Sequence, residues 1–280
     1  MRNIDPATVH SFGSEWGAYQ QSENVLSDSD RAAQFDAYFR LFPWATLPSN
    51  AVGADVGCGS GRWALLVAPR VKHLYAIDPA PEAIAVAQRN LSALPNVSVI
   101  RAEANLMPIP DGSLDFAYCL GVLHHVPDTN AALRAIVSKL KPGAPLLLYL
   151  YYAFDNRPAW FREIWRTTNF GRLLISRLPF TAKRIITNII AASIYWPLAR
   201  SAWVLERLGL LPESWPLSYY RNRGFYVMRT DAYDRFCTPL EKRFSRNEIE
   251  AMMIGAGLSG VIFSEASPFW TSVGRRRIPS

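Results

Sequence analysis

Residues 52–63 are Val-Gly-Ala-Asp-Val-Gly-Cys-Gly-Ser-Gly-Arg-Trp, a short hydrophobic stretch that leads into a loop with glycines at 57, 59 and 61. The apolar residues predict a buried strand. The glycines permit a tight turn and a close approach of a ligand to the backbone. Because ligands of open α/β sheets bind at the carboxyl ends of the strands, the stretch predicts a site for a nucleoside-bearing cofactor. A plain turn is the alternative.

The spacing of this loop distinguishes between two kinds of cofactor. A dinucleotide fingerprint requires a small third residue, Gly-x-Gly-x-x-Gly/Ala, and counting from Gly57 that place is taken by Arg62. A nicotinamide oxidoreductase is therefore disfavoured. Asp55 stands at the end of the strand, where its carboxylate would repel a pyrophosphate and attract an ammonium group. The pattern favours a cofactor with an amino acid headgroup.

A second acidic residue follows at the expected distance. The strand Leu-Tyr-Ala-Ile ends in Asp78, about 20 residues beyond the glycine loop, where an acid accepts hydrogen bonds from both ribose hydroxyls. A helix cap is the alternative role for Asp78. Pro79 and Pro81 open a helix, and strands are predicted at 97–100 and, after a Pro-Asp-Gly turn, at 114–120.

These motifs, in this order, resemble the class I S-adenosylmethionine-dependent methyltransferases over residues 45–152 and 245–274. The closest likeness is to their small-molecule branch, methyltransferase type 11, which includes quinone-biosynthesis methyltransferases. The resemblance implies an α/β fold: a Rossmann-like seven-stranded sheet with helices on both faces. A helical lid would be inserted after the fifth strand. It also implies S-adenosyl-L-methionine as methyl donor and S-adenosyl-L-homocysteine as product.

The resemblance further implies which residues hold the cofactor. The methionine part would meet Asp55, Gly57 and Gly59, and the ribose would meet Asp78. Glu103 and Ala104 stand where the adenine is held, although the family more often has Asp at the first of these positions. The segment beginning Cys119-Leu120 would pass under the sulfonium, and Trp16 and Tyr19 belong to a leading segment similar to one that covers the methionine carboxylate.

The rest of the chain completes the expected core. Asp128 is predicted to cap a helix, residues 146–151 to form a buried strand, and Ser245 with Glu248 to form a capping box. A closing hairpin is predicted from strands at 261–265 and 269–273. The predicted domains are an N-terminal helical cap at 1–44, the cofactor-binding core at 45–152, the acceptor-binding lid at 153–244, and the final helix and hairpin at 245–280.

The insertion is aromatic and basic, which predicts several helices broken at Pro179, Pro197, Pro212 and Pro216. An enclosed pocket lined by aromatic rings suits a small, amphipathic or acidic acceptor; the alternative is that the same rings only pack a helical subdomain. The uncharged stretch at 185–199 is too short to span a membrane, so at most peripheral membrane contact is expected.

Several residues are candidates for the methyl acceptor side. His124 and His125 follow the fourth strand, and one of them could act as a general base, although in the family this histidine is often architectural. Tyr151, Tyr152, Arg221 and Arg223 are candidate acceptor contacts. The segment 239–244 could border the acceptor pocket or tie the insertion to the core. No metal ligand spacing is found.

Composition restricts the class of protein. A chain of 280 residues, half of them hydrophobic, can bury a full core, and three cysteines without metal spacing suggest free thiols in a cytoplasmic protein. The net charge is +7, but no nucleic-acid partner is expected. The place after the fourth strand lacks the Asn/Asp-Pro-Pro-aromatic motif of base-nitrogen methyltransferases, and a Pro-Cys nucleophile is missing. A nucleic-acid enzyme and a non-catalytic protein docking at a membrane are the alternatives to a small-molecule methyltransferase.

Overall fold

The computed structural model describes residues 2–18, 28–212 and 215–278. The chain divides into two compact units. Unit 1 comprises Met1–Ala153 and Leu240–Ser280, and unit 2 comprises Phe154–Pro239. The segments 1–44 and 240–244, which the sequence suggested as a separate cap and as part of the insertion, both belong to unit 1.

Unit 1 is built on a seven-stranded mixed sheet, as predicted. In chain order the strands are β1 Val52–Val56, β2 His73–Asp78, β3 Val97–Arg101, β4 Phe116–Leu120, β5 Pro145–Tyr149, β6 Leu258–Phe263 and β7 Ser272–Arg276. Their spatial order is β3-β2-β1-β4-β5-β7-β6. The first five strands are parallel, and β7 is antiparallel to both neighbours. The chain changes direction across the sheet between β1 and β4, so ligands are expected at the carboxyl ends of these two strands.

The closing hairpin is displaced from its predicted place. Strand β6 begins at Leu258 rather than at 261, and β7 begins at Ser272 rather than at 269. The physical reason is a tight turn in which the Thr271 N–H donates to the Pro268 carbonyl at 3.1 Å. This turn leaves Phe269 and Trp270 in the connection rather than in the strand.

The structure contains ten α-helices among the described residues. They are α1 Pro6–Ala18, α2 Asp28–Phe39, α3 Ala64–Val67, α4 Pro81–Asn90, α5 Thr129–Lys139, α6 Ala159–Ile175, α7 Phe180–Ile190, α8 Trp196–Arg207, α9 Phe225–Cys237 and α10 Arg246–Gly255. Helices α5 and α10 contribute to one buried cluster with the sheet, and α2, α3 and α4 contribute to another. The predicted cap of α5 by Asp128 and the capping box of α10 are both confirmed.

Unit 2 is helical throughout its described elements. Helices α6 and α7 both pack against α9. The predicted break at Pro197 is wrong, because α7, a π-helical turn at Ala191–Tyr195 and α8 follow one another without interruption. Pro197 is the second residue of α8, directly after the wider turn, where the ordinary ladder of helical hydrogen bonds is already altered. Within the described residues, no helix has the length and apolarity needed to cross a membrane.

Candidate active site

The glycine loop joins the carboxyl ends of β1 and β2. The N–H groups of Gly57 and Cys58 donate to the Ile77 carbonyl at 2.7 and 2.9 Å. The Gly59 N–H donates to Oδ2 of Asp78 at 3.1 Å, and the Ala80 N–H donates to Oδ1 of the same carboxylate at 2.9 Å. Since the N-cap of α4 is Ala80, Asp78 does not cap this helix. Asp78 instead fixes the position of the loop.

The loops after β1 and β4 approach each other closely. Gly57 has a φ of +81°, and a side chain at this position would overlap the Val122 side chain, which follows β4. Gly57 is therefore required both for its left-handed backbone and for the absence of a side chain. The two loops flank the place where the chain changes direction across the sheet.

Asp55 is a buried carboxylate at the end of β1. It is 1% exposed and pairs in register with Tyr118 on β4. Its Oδ2 atom has no hydrogen-bond partner among the described residues. Burial raises the pKa of Asp55 to about 8; the neighbouring Tyr118 hydroxyl opposes this rise, Asp78 adds to it and Arg62 opposes it. An unsatisfied buried carboxylate is stabilised by an incoming cation, so these residues fit the ammonium group of an amino acid.

Asp78, the last residue of β2, is the second carboxylate at the carboxyl ends of the strands. It is half-buried, and burial raises its pKa to about 6, while the two backbone N–H groups that it accepts oppose the rise. Each carboxylate oxygen has two acceptor positions, and the backbone uses one on each. Asp78 therefore keeps acceptor capacity for a pair of hydroxyls, which fits a ribose.

The N-terminal segment contacts the residues predicted to hold the adenine. Glu103 follows β3, and its Oε2 atom accepts the Asn3 N–H at 2.9 Å. The Nε atom of Arg2 lies 3.6 Å from Oε1 of Glu103. Asn3 also exchanges two hydrogen bonds with the backbone of Asp128. Ala104 is half-buried beside this contact. Sequence analysis missed Asn3, because nothing local links residue 3 to a loop 100 positions away.

Cys119 and Leu120 end β4. Cys119 is fully buried, and burial raises the pKa of its thiol and of the Cys58 thiol well above the usual value. Both cysteines therefore remain protonated, and neither is suited to act as a thiolate nucleophile. Leu120 is half-buried, and the next residue, Gly121, donates its N–H to the Tyr149 carbonyl at 3.0 Å.

His124 and His125 form an aromatic cluster with Tyr151. The rings of His124 and Tyr151 stack with centroids 3.7 Å apart, and the two histidine rings are 4.0 Å apart. Nδ1 of His124 accepts the Tyr151 N–H at 3.3 Å, so its proton resides on Nε2. Burial, and then the charges of His125 and Arg243, hold the pKa of His124 well below its usual range. His124 is fully buried and neutral, which fits a positioning role better than that of a base.

His125 has the opposite tautomer. Its Nδ1 lies 2.7 Å from the Leu240 carbonyl, and because a carbonyl only accepts, Nδ1 carries the proton. When the His125 ring is neutral, its lone pair is therefore on Nε2. The His125 side chain is 7% exposed. The Phe12 ring of α1 contacts the His125 ring edge-on, with the two ring centroids 4.9 Å apart. Of the two histidines, His125 has the tautomer that a proton acceptor requires.

The segment 240–244 contributes charged residues to this cluster. Arg243 Nε lies 2.9 Å from Oε1 of Glu241, with side-chain exposures of 12% and 1%. The Arg243 guanidinium lies 5.0 Å from the centre of the Tyr151 ring, and the Lys242 N–H donates to the His124 carbonyl at 3.0 Å. The sequence left the role of this segment open, and the structure brings it to the histidines.

The remaining candidates are more scattered. Tyr152 pairs with Phe244 in an isolated bridge. Arg221 and Arg223 lie in unit 2, where Arg221 Nε contacts Glu206 at 2.7 Å and the Arg223 guanidinium lies 4.9 Å from the Tyr219 ring. Trp16 lies in α1, but its side chain is outside the described residues, as is the whole of Tyr19.

Comparisons with known proteins agree with this geometry. Residues 54–148 match the family described as a methyltransferase domain. A ubiquinone biosynthesis O-methyltransferase from Xanthomonas axonopodis pv. citri (strain 306) is 38% identical over 189 residues, which cover 66% of this chain and 74% of that protein. A protein of the same description from Xanthomonas euvesicatoria pv. vesicatoria (strain 85-10) is 39% identical over 182 residues, covering 63% of this chain and 71% of that protein.

Two solved structures share the fold. An S-adenosylmethionine-dependent methyltransferase from Thermotoga maritima superimposes with a TM-score of 0.51 at 15% identity, covering 96% of this chain and all of that one. Another from Methanosarcina mazei has a TM-score of 0.50 at 16% identity, covering 84% of this chain and 96% of that one. At these identities the likeness concerns the fold alone.

The chain belongs to the family of S-adenosylmethionine-dependent methyltransferases. It is therefore an enzyme whose methyl donor is S-adenosyl-L-methionine and whose product from the donor is S-adenosyl-L-homocysteine. The two Xanthomonas relatives are named as O-methyltransferases of ubiquinone biosynthesis.

Proposed function

We propose that this enzyme transfers the methyl group of S-adenosylmethionine to an oxygen atom of a small-molecule acceptor. The observation that supports cofactor binding best is the pair of carboxylates, Asp55 and Asp78, at the ends of β1 and β2 around the glycine loop. The choice of oxygen is supported by the name of the relatives at 38% and 39% identity.

In this proposal each residue around the loop binds a different part of the cofactor. Asp55 neutralises the ammonium group, and Gly57 and Gly59 let the methionine part lie against the backbone. Asp78 accepts the ribose hydroxyls. Glu103 and Ala104 border the adenine, with the Glu103 carboxylate already fixed by Asn3. Cys119 and Leu120 line the passage beside the sulfur, and Trp16 and Tyr19 of the leading segment cover the methionine end.

The donor supplies a methyl group already activated by a positively charged sulfur. The protein must then hold the acceptor in line and remove its proton. In this proposal His125 takes the proton on Nε2, because its Nδ1–H is held by the Leu240 carbonyl. His124, Tyr151 and the Glu241–Arg243 pair fix the ring of His125 in place, and Tyr151 and Tyr152 contact the acceptor.

Unit 2 is assigned to the choice of acceptor. It is inserted directly after β5, and the chain returns to unit 1 at the segment that carries Glu241 and Arg243. Its aromatic and basic composition suits an amphipathic or anionic small molecule, with Arg221 and Arg223 as candidate contacts. In this proposal unit 2, residues 154–239, selects the acceptor.

Binding measurements test the cofactor assignment. Isothermal titration of the full chain with S-adenosylhomocysteine should show binding, and Asp78→Ala should weaken it by about 1–3 kcal/mol, about fivefold to 150-fold, because the ribose loses its acceptors. NADH should not bind. Binding of NADH in place of the adenosyl compound would overturn the assignment.

Turnover measurements test the acceptor atom and the base. Formation of S-adenosylhomocysteine should be seen with a phenol but not with the matched aniline or thiophenol. His125→Phe should lower kcat by about 10²–10⁴-fold without changing cofactor affinity. His73→Phe is the matched control, because His73 lies at the amino end of β2. Equal turnover by the His125 variant would remove His125 as the base.

A further inference from the structure

The continuous helix at 180–207 has an inverted distribution of side chains. It buries small or polar-tipped residues, namely Thr187, Ala191, Tyr195, Ala199 and Ala202. Ala191, Tyr195 and Ala199 share a buried cluster with Met228 and Ala232 of α9. It exposes large apolar ones: Ile185 is 55% exposed, Ile189 59%, Ile194 49% and Trp196 40%. These four residues are here called the apolar stripe. Ile185 and Ile189 are one helical turn apart and share a face, and Ile194 and Trp196 lie in and directly after the π-helical turn. A helix folded only to bury its own apolar surface in water would have the opposite arrangement.

Exposed apolar residues are concentrated in unit 2 as a whole. Among the described residues, 20 large hydrophobic side chains are exposed, and 16 of them lie between Trp160 and Phe225. Unit 2 is less than a third of the chain. Single exposed apolar residues are normal on a protein surface, but such a concentration marks an interaction site.

The charges of the same region indicate what covers it. Unit 2 contains 13 Lys and Arg residues and 6 Asp and Glu residues, whereas the rest of the chain contains 17 of each. The whole net charge of +7 therefore resides in unit 2. No acidic residue occurs between Glu163 and Glu206, while that segment contains Arg166, Arg172, Arg177, Lys183, Arg184 and Arg200.

The stripe itself is uncharged and flanked by cations. No charged residue occurs from Ile185 to Ala199. Arg177 and Arg184 are exposed before the stripe, and Arg207 is exposed after it. The Arg200 guanidinium lies over the Trp196 ring, 4.0 Å from its centre, in a cation–π contact. Apolar side chains with flanking cations and a tryptophan are typical of helices that lie in the plane of a membrane interface.

We propose that the apolar stripe docks this enzyme on the surface of an anionic lipid bilayer. The isoleucines and Trp196 enter the boundary between headgroups and acyl chains, and Arg177, Arg184 and Arg207 meet the anionic headgroups. The helix lies on the membrane rather than crossing it, because its uncharged stretch has fifteen residues and a span needs about 20. Isoleucine offers no planar face for stacking on bases, so the stripe does not suit single-stranded nucleic acid.

Vesicle flotation with the full chain tests this proposal. The protein should float with phosphatidylcholine vesicles that contain one quarter phosphatidylglycerol, and binding to pure phosphatidylcholine should be at least about tenfold weaker, since about fivefold is expected for each cation near an anionic surface. The double variant Ile185→Ser with Ile189→Ser should bind the anionic vesicles at least about tenfold more weakly. Ile254→Ser with Ile262→Ser is the matched control, because these residues are 43% and 51% exposed in unit 1. The control should bind like the wild type.

A second variant tests the proposal independently, in case the first variant misfolds. Arg177→Glu with Arg184→Glu leaves the stripe intact and should lower binding to anionic vesicles by about fivefold or more, as should about 1 M salt. Circular dichroism and S-adenosylhomocysteine binding should match the wild type for each variant. The proposal is overturned if the wild type fails to float with anionic vesicles, if the charge-reversed variant binds equally, or if only a protein partner or a second copy covers the stripe.

Discussion

The two units of this chain treat their apolar residues in opposite ways. Unit 1 buries Leu133, Ile136 and Leu147 completely and places polar groups such as Asp55 in the same interior. The helix at 180–207 in unit 2 buries Ala191, Ala199 and Ala202 and exposes Ile185, Ile189 and Ile194. Unit 1 therefore buries these apolar side chains in its own core, and Asp55, a buried polar residue, belongs to the candidate cofactor site. Unit 2 leaves apolar surface whose burial requires another phase or molecule.

The charges show the same contrast. Cations and anions balance in the rest of the chain, while unit 2 carries all seven surplus positive charges. In unit 1 the candidate site has one buried and one half-buried carboxylate, Asp55 and Asp78, both with raised pKa values. In our proposals, unit 1 uses electrostatics at short range to hold a cofactor, and unit 2 uses a long-range field that attracts anionic partners.

The largest effect is expected at the glycine loop of unit 1. Gly57→Ala should lower the free energy of unfolding by about 3 kcal/mol, because the left-handed backbone costs about 1–2 kcal/mol and the overlap with Val122 adds to it. Gly143→Ala is the matched control. Its φ of +80° is the same, but no atom lies within 4 Å of the added carbon. Denaturant unfolding and S-adenosylhomocysteine titration should separate the two. Equal costs would show that the contact with Val122 is unimportant.

The next effect concerns the buried charge of Asp55. Asp55→Asn should weaken S-adenosylhomocysteine binding by about 1.5–3 kcal/mol, about tenfold to 150-fold, because the ammonium loses its charged partner. Calorimetry near pH 8 measures this. Asp111→Asn is the control, because Asp111 is an exposed carboxylate paired with Lys139 and should leave affinity unchanged.

The same variant changes the pH dependence of stability. The folded protein keeps a proton on Asp55 up to about pH 8, whereas the unfolded chain releases it near the ordinary pKa of 3.8. Stability of the ligand-free wild type should therefore fall as pH rises from about 4 to about 8. Asp55→Asn removes this contribution. Its Tm relative to the wild type should rise between pH 5 and pH 8, and a constant difference would contradict the raised pKa.

A smaller effect is expected from the inverted helix of unit 2. Ala191→Leu should destabilise unit 2 by about 1–3 kcal/mol, because Ala191 is fully buried against α9. Ala192→Leu is the control at the next position, which is exposed, and should change stability by less than about 0.5 kcal/mol. Limited proteolysis reports on unit 2, and cofactor titration reports on unit 1. A loss of cofactor binding in Ala191→Leu would show that the units are not independent.

The smallest effect concerns the acceptor. Arg221→Ala with Arg223→Ala should leave cofactor affinity within about twofold and lower turnover of an anionic acceptor several-fold, since attraction of a charged ligand follows such residues. Steady-state kinetics at low and high salt measure this. Unchanged turnover of the anionic acceptor would remove these arginines from its site, while the affinity for S-adenosylhomocysteine serves as the internal control.

The sequence by itself determined the fold of unit 1 and much of the candidate site. Asp55, Gly57 and Asp78 could be found because each lies at a fixed offset from a short apolar strand, and such spacing is local information. The caps of α5 and α10 were found for the same reason. In unit 2 the prolines predicted breaks, yet the π-helical turn before Pro197 carried the helix onward. The sequence could not predict the π-helical turn, because residues of this turn pack against α9, and that contact exists only in the folded chain.

Only the tertiary structure decided what surrounds the site. The contact of Asn3 with Glu103 joins residues 100 positions apart, and the carbonyl that orients His125 comes from Leu240, 115 positions away. No local pattern encodes such pairs, because they form only when separate strands and loops are brought to one edge of the sheet. The distinction between His124 and His125 has the same origin: their hydrogen bonds give them opposite tautomers, and adjacent identical residues differ only through the neighbours that folding supplies.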